Sequence, residues 1–185
     1  MDKFGKEQIK AIVDVRLSDF ITKNLDEKYA LIEDSWKKYY PEIFIERSRF
    51  EDAMGYYRYT PNDGWSHTAY IADNYKAVDF YKGKVDTEGI IEADIAISMK
   101  TTTTKDANKW LETEAIQKNI KFLKQGLDVG MPSNNTKMFI KKAEIHIYVP
   151  KENITPELKT DWIKKLKDIA PGIKIEISSL ENFIK

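Results

Sequence analysis

The sequence predicts a single α/β domain, a mixed central sheet flanked by helices, and three stretches carry that prediction. From Ile91 to Lys100 strict alternation puts Ile91, Ala93, Ile95, Ile97 and Met99 on one face of a strand and Glu92, Asp94, Ala96, Ser98 and Lys100 on the other. A long helical pattern over 105–126 follows, with Trp110, Ile116, Ile120, Leu123 and Leu127 facing inward. Beyond it lie a strand with Ala143, Ile145, Ile147 and Val149 on one face, a helix opened by Thr155-Pro156-Glu157, and a strand from Ile173 to Ile177. The second half therefore reads β-α-β-α-β, an order that favours a mixed sheet with helices packed on it.

The remaining elements follow in order. Residues 6–40 read as two helices, with Ile9, Ile12, Val13, Leu17, Phe20 and Ile21 at helical spacing, then Leu25, Tyr29, Leu31, Ile32 and Trp36. A further helix is expected from Glu46 to Tyr57, and Pro61-Asn62-Asp63-Gly64 marks a turn. Lys76 to Tyr81 is short, β-rich and stopped by Gly83, and reads as a strand. The long helix should be capped by Thr104 or Asp106 and ended by Gly126 or Gly130. With no repeat and no composition break, residues 1–185 are expected to form one domain, with 1–45 as a helical subregion.

Composition removes several classes of function. There is no Cys, so disulfides, thiolate metal sites and Cys nucleophiles are excluded. Lys and Arg (30) balance Asp and Glu (30), so no global field draws the chain to a polyanion and any such binding must be local. No stretch approaches the roughly 18 apolar residues of a membrane span, and the N-terminus lacks a signal-peptide core, so the chain reads as cytosolic. His67 and His146 fit neither a hydrolase triad nor clustered zinc spacing, and glycine-rich phosphate loops are missing.

What remains is a set of carboxylates and one lysine on adjoining strands. Oxygen ligands of that kind hold Mg²⁺, and an ammonium beside them orients or activates water, a combination used for phosphodiester hydrolysis. Asp79 can share a face with Ser98 and Lys100 of the next strand. The competing reading is that Glu92, Asp94 and Lys100 simply solvate the outer face of a half-buried sheet.

Three runs, Arg49-Phe50-Glu51-Asp52, Tyr75-Lys76-Ala77-Val78-Asp79-Phe80 and Ala96-Ile97-Ser98-Met99-Lys100-Thr101, resemble the nuclease domains of contact-dependent growth-inhibition and related polymorphic toxins. Those domains belong to the PD-(D/E)xK, restriction-endonuclease-like class, in which a helix supplies Glu, one strand supplies Asp and the next a (D/E)xK pair, here SxK. The resemblance spans residues 47–149. It implies Glu51, Asp79, Ser98 and Lys100 as catalytic residues, Asp79 and Glu51 as ligands of Mg²⁺ or another divalent cation, and a restriction-endonuclease-like fold.

The same resemblance implies a nucleic-acid substrate, RNA or DNA, a cognate immunity protein, and a cytoplasmic site of action reached from another cell. The family often carries an Asp shortly after SxKT, where this chain has Thr102, Thr103 and Thr104. Local basic stretches, Lys118, Lys121 and Lys124 or Lys137, Lys141 and Lys142, are the candidates for backbone phosphate contact. A non-catalytic alternative is an immunity-type or adaptor module, with Tyr56-Tyr57-Arg58-Tyr59 and Trp65 as a partner surface.

Overall fold

The computed structural model describes residues 54–55, 58–72, 74–102, 104–149, 153–179 and 182. The helices expected over 6–40, the 1–45 subregion, Glu51 and most of the expected 46–57 helix lie outside them; Met54 and Gly55 are helical.

The described residues build a mixed seven-stranded sheet. Its strands are β1 (Ser66–His67), β2 (Phe80–Val85), β3 (Ile90–Thr101), β4 (Met131–Ser133), β5 (Thr136–Ile140), β6 (Ala143–Val149) and β7 (Ile173–Ser179). Three complete helices accompany them among the described residues: α1 (Ala107–Leu111), α2 (Glu114–Asp128) and α3 (Pro156–Ile169). β2 runs antiparallel to β3, whose other edge pairs in parallel with β5 and then with β6; β7 continues in parallel beyond β6.

α1, α2 and α3 cover one face of this sheet. Trp110, Leu111, Ile116, Ile120, Leu123, Trp162 and Leu166 pack there against Ala96, Ile145, Ile147, Ile175 and their neighbours. A smaller core of Met54, Tyr59, Phe80, Ile97, Met99 and Tyr148 lies on the opposite face.

Strict alternation along β3 does not survive. Lys82 pairs with Ile95 and Gly83 with Ala93, which leaves Asp94 as the extra residue of a β-bulge. Gly83 is required there: a Cβ on it would stand 2.0 Å from the carbonyl oxygen of Glu92. On the other edge β5 breaks into β6 at Lys141 and Lys142, beside the bulge, with the Lys141 N–H donating to the Ala93 carbonyl and the Ala96 N–H to that of Lys142.

Both strands change face together at this kink. Ile91 and Ala93 pack in the helix-side core, whereas Ile97 and Met99 pack in the small core opposite. Ser98 and Lys100 therefore join Ala96 on the helix side, paired with Ile145 and Ile147. Glu92 and Asp94 stay exposed and do not share their face.

The long helix is also interrupted. Asp106 caps α1 by accepting from the Lys109 N–H at 3.2 Å, and Thr113 opens α2 in an extended conformation. At 3.6 residues per turn Trp110 lies roughly 120° from the stripe through Ile116, Ile120 and Leu123. A break lets both segments turn inward. Gly130, at φ 87°, ends α2, while Gly126 lies inside it against Ile140.

The hairpin β4–β5 was not expected from the pattern. Its turn is Asn134-Asn135, with φ of 48° and 61°, the left-handed pair that a two-residue hairpin loop requires. The turn at Pro61–Asp63, closed by Gly64 at φ 82°, and the Thr155-Pro156 start of α3 match expectation.

Candidate functional site

Asp79 precedes β2 rather than lying within it, because Ala77 adopts φ 58° and the chain is extended only from Phe80. Its backbone is nonetheless pinned from both sides. The Asp79 N–H donates to the Ile97 carbonyl at 2.9 Å, and the buried Thr68 donates its N–H to the Asp79 carbonyl at 2.9 Å.

The carboxylate then does what the next residue of a ladder would do. Asp79 Oδ2 accepts from the Met99 N–H at 2.6 Å, while Lys100 Nζ donates to the Met99 carbonyl at 3.1 Å. The N–H and C=O of one strand residue point to the same edge. The Asp79 carboxylate and the Lys100 ammonium thus bond to the N–H and the C=O of the same β3 residue. Ser98, on the same face as Lys100, is 1% exposed, and its Oγ has no hydrogen-bond partner among the described residues.

Asp79 and Lys100 both bond to the backbone of Met99, the residue after Ser98, and Glu51 lies outside the described residues. Lys118, Lys121 and Lys142 are exposed. Lys118 pairs with Glu114 at 2.5 Å, Lys141 with Asp94 at 2.7 Å, and Lys124 donates to the Ile169 carbonyl at the end of α3. Of the suggested aromatic partner surface, Tyr59 is buried and Trp65 packs edge-on against it beneath Lys82.

On the opposite face of the sheet stands a polar cluster the sequence reading missed. Glu144, His146 and Tyr148 alternate along β6, and Lys174, Glu176 and Ser178 are their partners on β7. His146 Nε2 lies 2.8 Å from Glu144 Oε2 and 3.8 Å from Glu176 Oε2. Its Nδ1 lies 2.5 Å from the Tyr59 hydroxyl, which is 2.6 Å from that of Tyr148. Arg58 donates to the Tyr148 hydroxyl at 2.6 Å and to Glu176 Oε1 at 2.5 Å, and Lys174 donates to Glu144 at 3.1 Å.

Burial pushes His146 below its ordinary value and outweighs the pull of Glu144 and Glu176 in the other direction. Burial would raise both carboxyls, but hydrogen bonds from His146 and Lys174 hold Glu144 down, and His146 and Arg58 do the same for Glu176. Tyr148 is pushed up to about 12 by burial.

A neutral imidazole beside an ionised, acceptor-only carboxylate gives the chain one polarity. His146 Nε2–H donates to Glu144, Tyr59 donates to Nδ1, Tyr148 donates to Tyr59, and Arg58 donates to Tyr148. The signal available in the sequence was the period-two pairing of Glu144 with His146 and of Lys174 with Glu176. Their meeting required the β6–β7 register.

No protein-family model matches the chain, and no curated protein does. Among solved structures the chain is weakly similar to a CdiA-CT/CdiI toxin and immunity complex from Yersinia pseudotuberculosis, at TM-score 0.38 and 18% identity over 71% of this chain and 98% of that one. At that level of likeness the chemistry rests on this chain's own residues.

Proposed function

We propose that the chain is a nuclease that hydrolyses phosphodiester bonds of nucleic acid, with its centre at Asp79, Ser98 and Lys100. The observation that carries this reading is Met99 of β3, whose N–H is bonded to a carboxylate and whose carbonyl is bonded to an ammonium. Metal-assisted phosphodiester hydrolysis uses both charges: a cation to stabilise negative charge developing on phosphorus, and a carboxylate to hold water or a metal against it.

The donor set suits Mg²⁺. Asp79 and Ser98 offer only oxygen, and the buried Ser98 hydroxyl lacks a hydrogen-bond partner among the described residues. Asp79 would hold the ion together with Glu51, and Mg²⁺ would supply Lewis-acid stabilisation of the phosphate. Lys100 positions or activates the attacking water; Ser98 orients water or a phosphate oxygen. Lys118, Lys121 and Lys142, exposed on α2 and at the kink, contribute backbone phosphate contacts. Within the described residues no helix is long and apolar enough to cross a membrane.

A toxin of this kind acts in the cytoplasm of a target bacterium and is neutralised in its own cell by an immunity partner. The test incubates the purified chain with transfer RNA and with plasmid DNA in Mg²⁺, beside Asp79→Ala and Lys100→Ala. Cleavage by the wild type that both variants lose is the expected result; cleavage that both retain rejects the site. Expression in bacteria supplies a second reading, since wild type should be tolerated only with a neutralising partner and Asp79→Ala without one.

A further inference from the structure

The cluster on the face opposite Lys100 is built from two adjacent strands of one sheet. Glu144 and His146 are two residues apart on β6, and Glu176 is the register partner of His146 on β7. Their ligand atoms all lie within 4.8 Å of one another. A four-coordinate ion with ligands at 2.0–2.1 Å sets its ligand atoms about 3.3 Å apart. The 2.8 and 3.8 Å separations of His146 Nε2 from the two carboxylates bracket that spacing.

Two of the three groups, His146 and Glu176, are also held from behind. Tyr59 engages the far ring nitrogen of His146, while Arg58 and Ser178 engage Glu176 Oε1. His146 Nε2, Glu144 Oε2 and Glu176 Oε2 are left converging on one another, the arrangement in which supporting hydrogen bonds aim ligands at a metal. Glu144 and His146 are buried, whereas Glu176 is 30% exposed and leaves a route for an ion.

We propose that Glu144, His146 and Glu176 form a binding site for one transition-series dication, Zn²⁺ by its preference for a mixed imidazole and carboxylate set. Lys174, whose side chain is 66% exposed, donates to Glu144 at 3.1 Å and is the group the ion displaces into solvent. A dication takes over the neutralisation that Lys174 supplies. Binding at Nε2 leaves the ring proton on Nδ1, whose N–H then donates to the Tyr59 oxygen, and the Tyr59 hydroxyl hydrogen turns to the Tyr148 oxygen. The site stands apart from the nuclease reading, on the other side of the sheet.

The experiment is isothermal titration calorimetry of the full chain, stripped with chelator, against ZnCl₂, with MgCl₂ in parallel. Expected in the Asp79→Ala background, which removes the carboxylate of the nuclease centre, is one Zn²⁺ per chain, lost when His146→Gln or Glu176→Gln is added and bound severalfold more tightly when Lys174→Gln is added. Tyr59→Phe should weaken it about 10- to 100-fold. Near-ultraviolet circular dichroism checks each variant's fold, and Glu176→Gln, at a half-buried position, serves if His146→Gln does not fold.

Absence of Zn²⁺ binding by the wild type overturns the proposal. So does binding that survives Glu176→Gln but disappears in Asp79→Ala, because it assigns the ion to the other face. Weaker binding by Lys174→Gln would also sink it, since a displaced competitor cannot assist the ion.

Discussion

Ser98 is the residue at which stability and chemistry should separate. A buried hydroxyl without a hydrogen-bond partner costs about 1–3 kcal/mol of lost solvation. Ser98→Ala is therefore expected to leave the melting temperature unchanged or raise it while reducing cleavage in the nuclease assay. A variant that melts earlier and cleaves normally would remove Ser98 from the site. Tyr59 makes the opposite case. Its hydroxyl joins His146 to Tyr148, so Tyr59→Phe strands a buried ring nitrogen and should destabilise by about 1–3 kcal/mol in urea unfolding.

At the scale of the element, the kink decides which side chains meet. Gly83→Ala drives a Cβ against the backbone of Glu92, which cannot move without opening the ladder. In Gly126→Ala the obstruction is the end of the flexible Ile140 side chain, and the new residue gains helix propensity of about 1 kcal/mol. Gly83→Ala should thus cost more than Gly126→Ala, by about 1–3 kcal/mol in equilibrium unfolding. Equal costs would mean that β2 and β3 can re-register without the bulge. Because the bulge sets the face of Ser98 and Lys100, Gly83→Ala should also lower cleavage more than its loss of stability explains.

For the whole molecule the consequence is acid sensitivity. In the metal-free chain His146 is held below 6.5, so as pH falls past that value the unfolded state takes up a proton the folded state refuses. Stability falls in that window. Glu144 and Glu176 are held below 4.5, and the stability they contribute above that value is lost as pH drops through their folded-state values. All three act in one direction. Urea unfolding between pH 7 and 4.5 should show a declining midpoint, and His146→Gln should flatten it; an unchanged slope would place the acid sensitivity elsewhere.

Local chemistry was enough to place much of this chain. The Thr155-Pro156 start of α3, the alternation of β6 and β7, and the turn at Pro61–Gly64 each depend on residues within a few positions of one another, so they could be read directly. The order of elements implied a mixed sheet for the same reason. Asp79, Ser98 and Lys100 were legible as residue types, and their common face was expected, but by unbroken alternation that would have put Glu92 and Asp94 beside them.

The faces themselves depended on partners far along the chain. Gly83 approaches Glu92 and Lys141 bonds to Ala93, and those contacts force the change of side that separates Ser98 and Lys100 from Glu92 and Asp94. The Glu144–His146–Glu176 cluster depends likewise on the register of β6 with β7 and on Tyr59 arriving from a distant segment. Periodicity reports the environment of one strand at a time. A bulge, or a cluster shared between strands, exists only once the neighbours' backbones set the register.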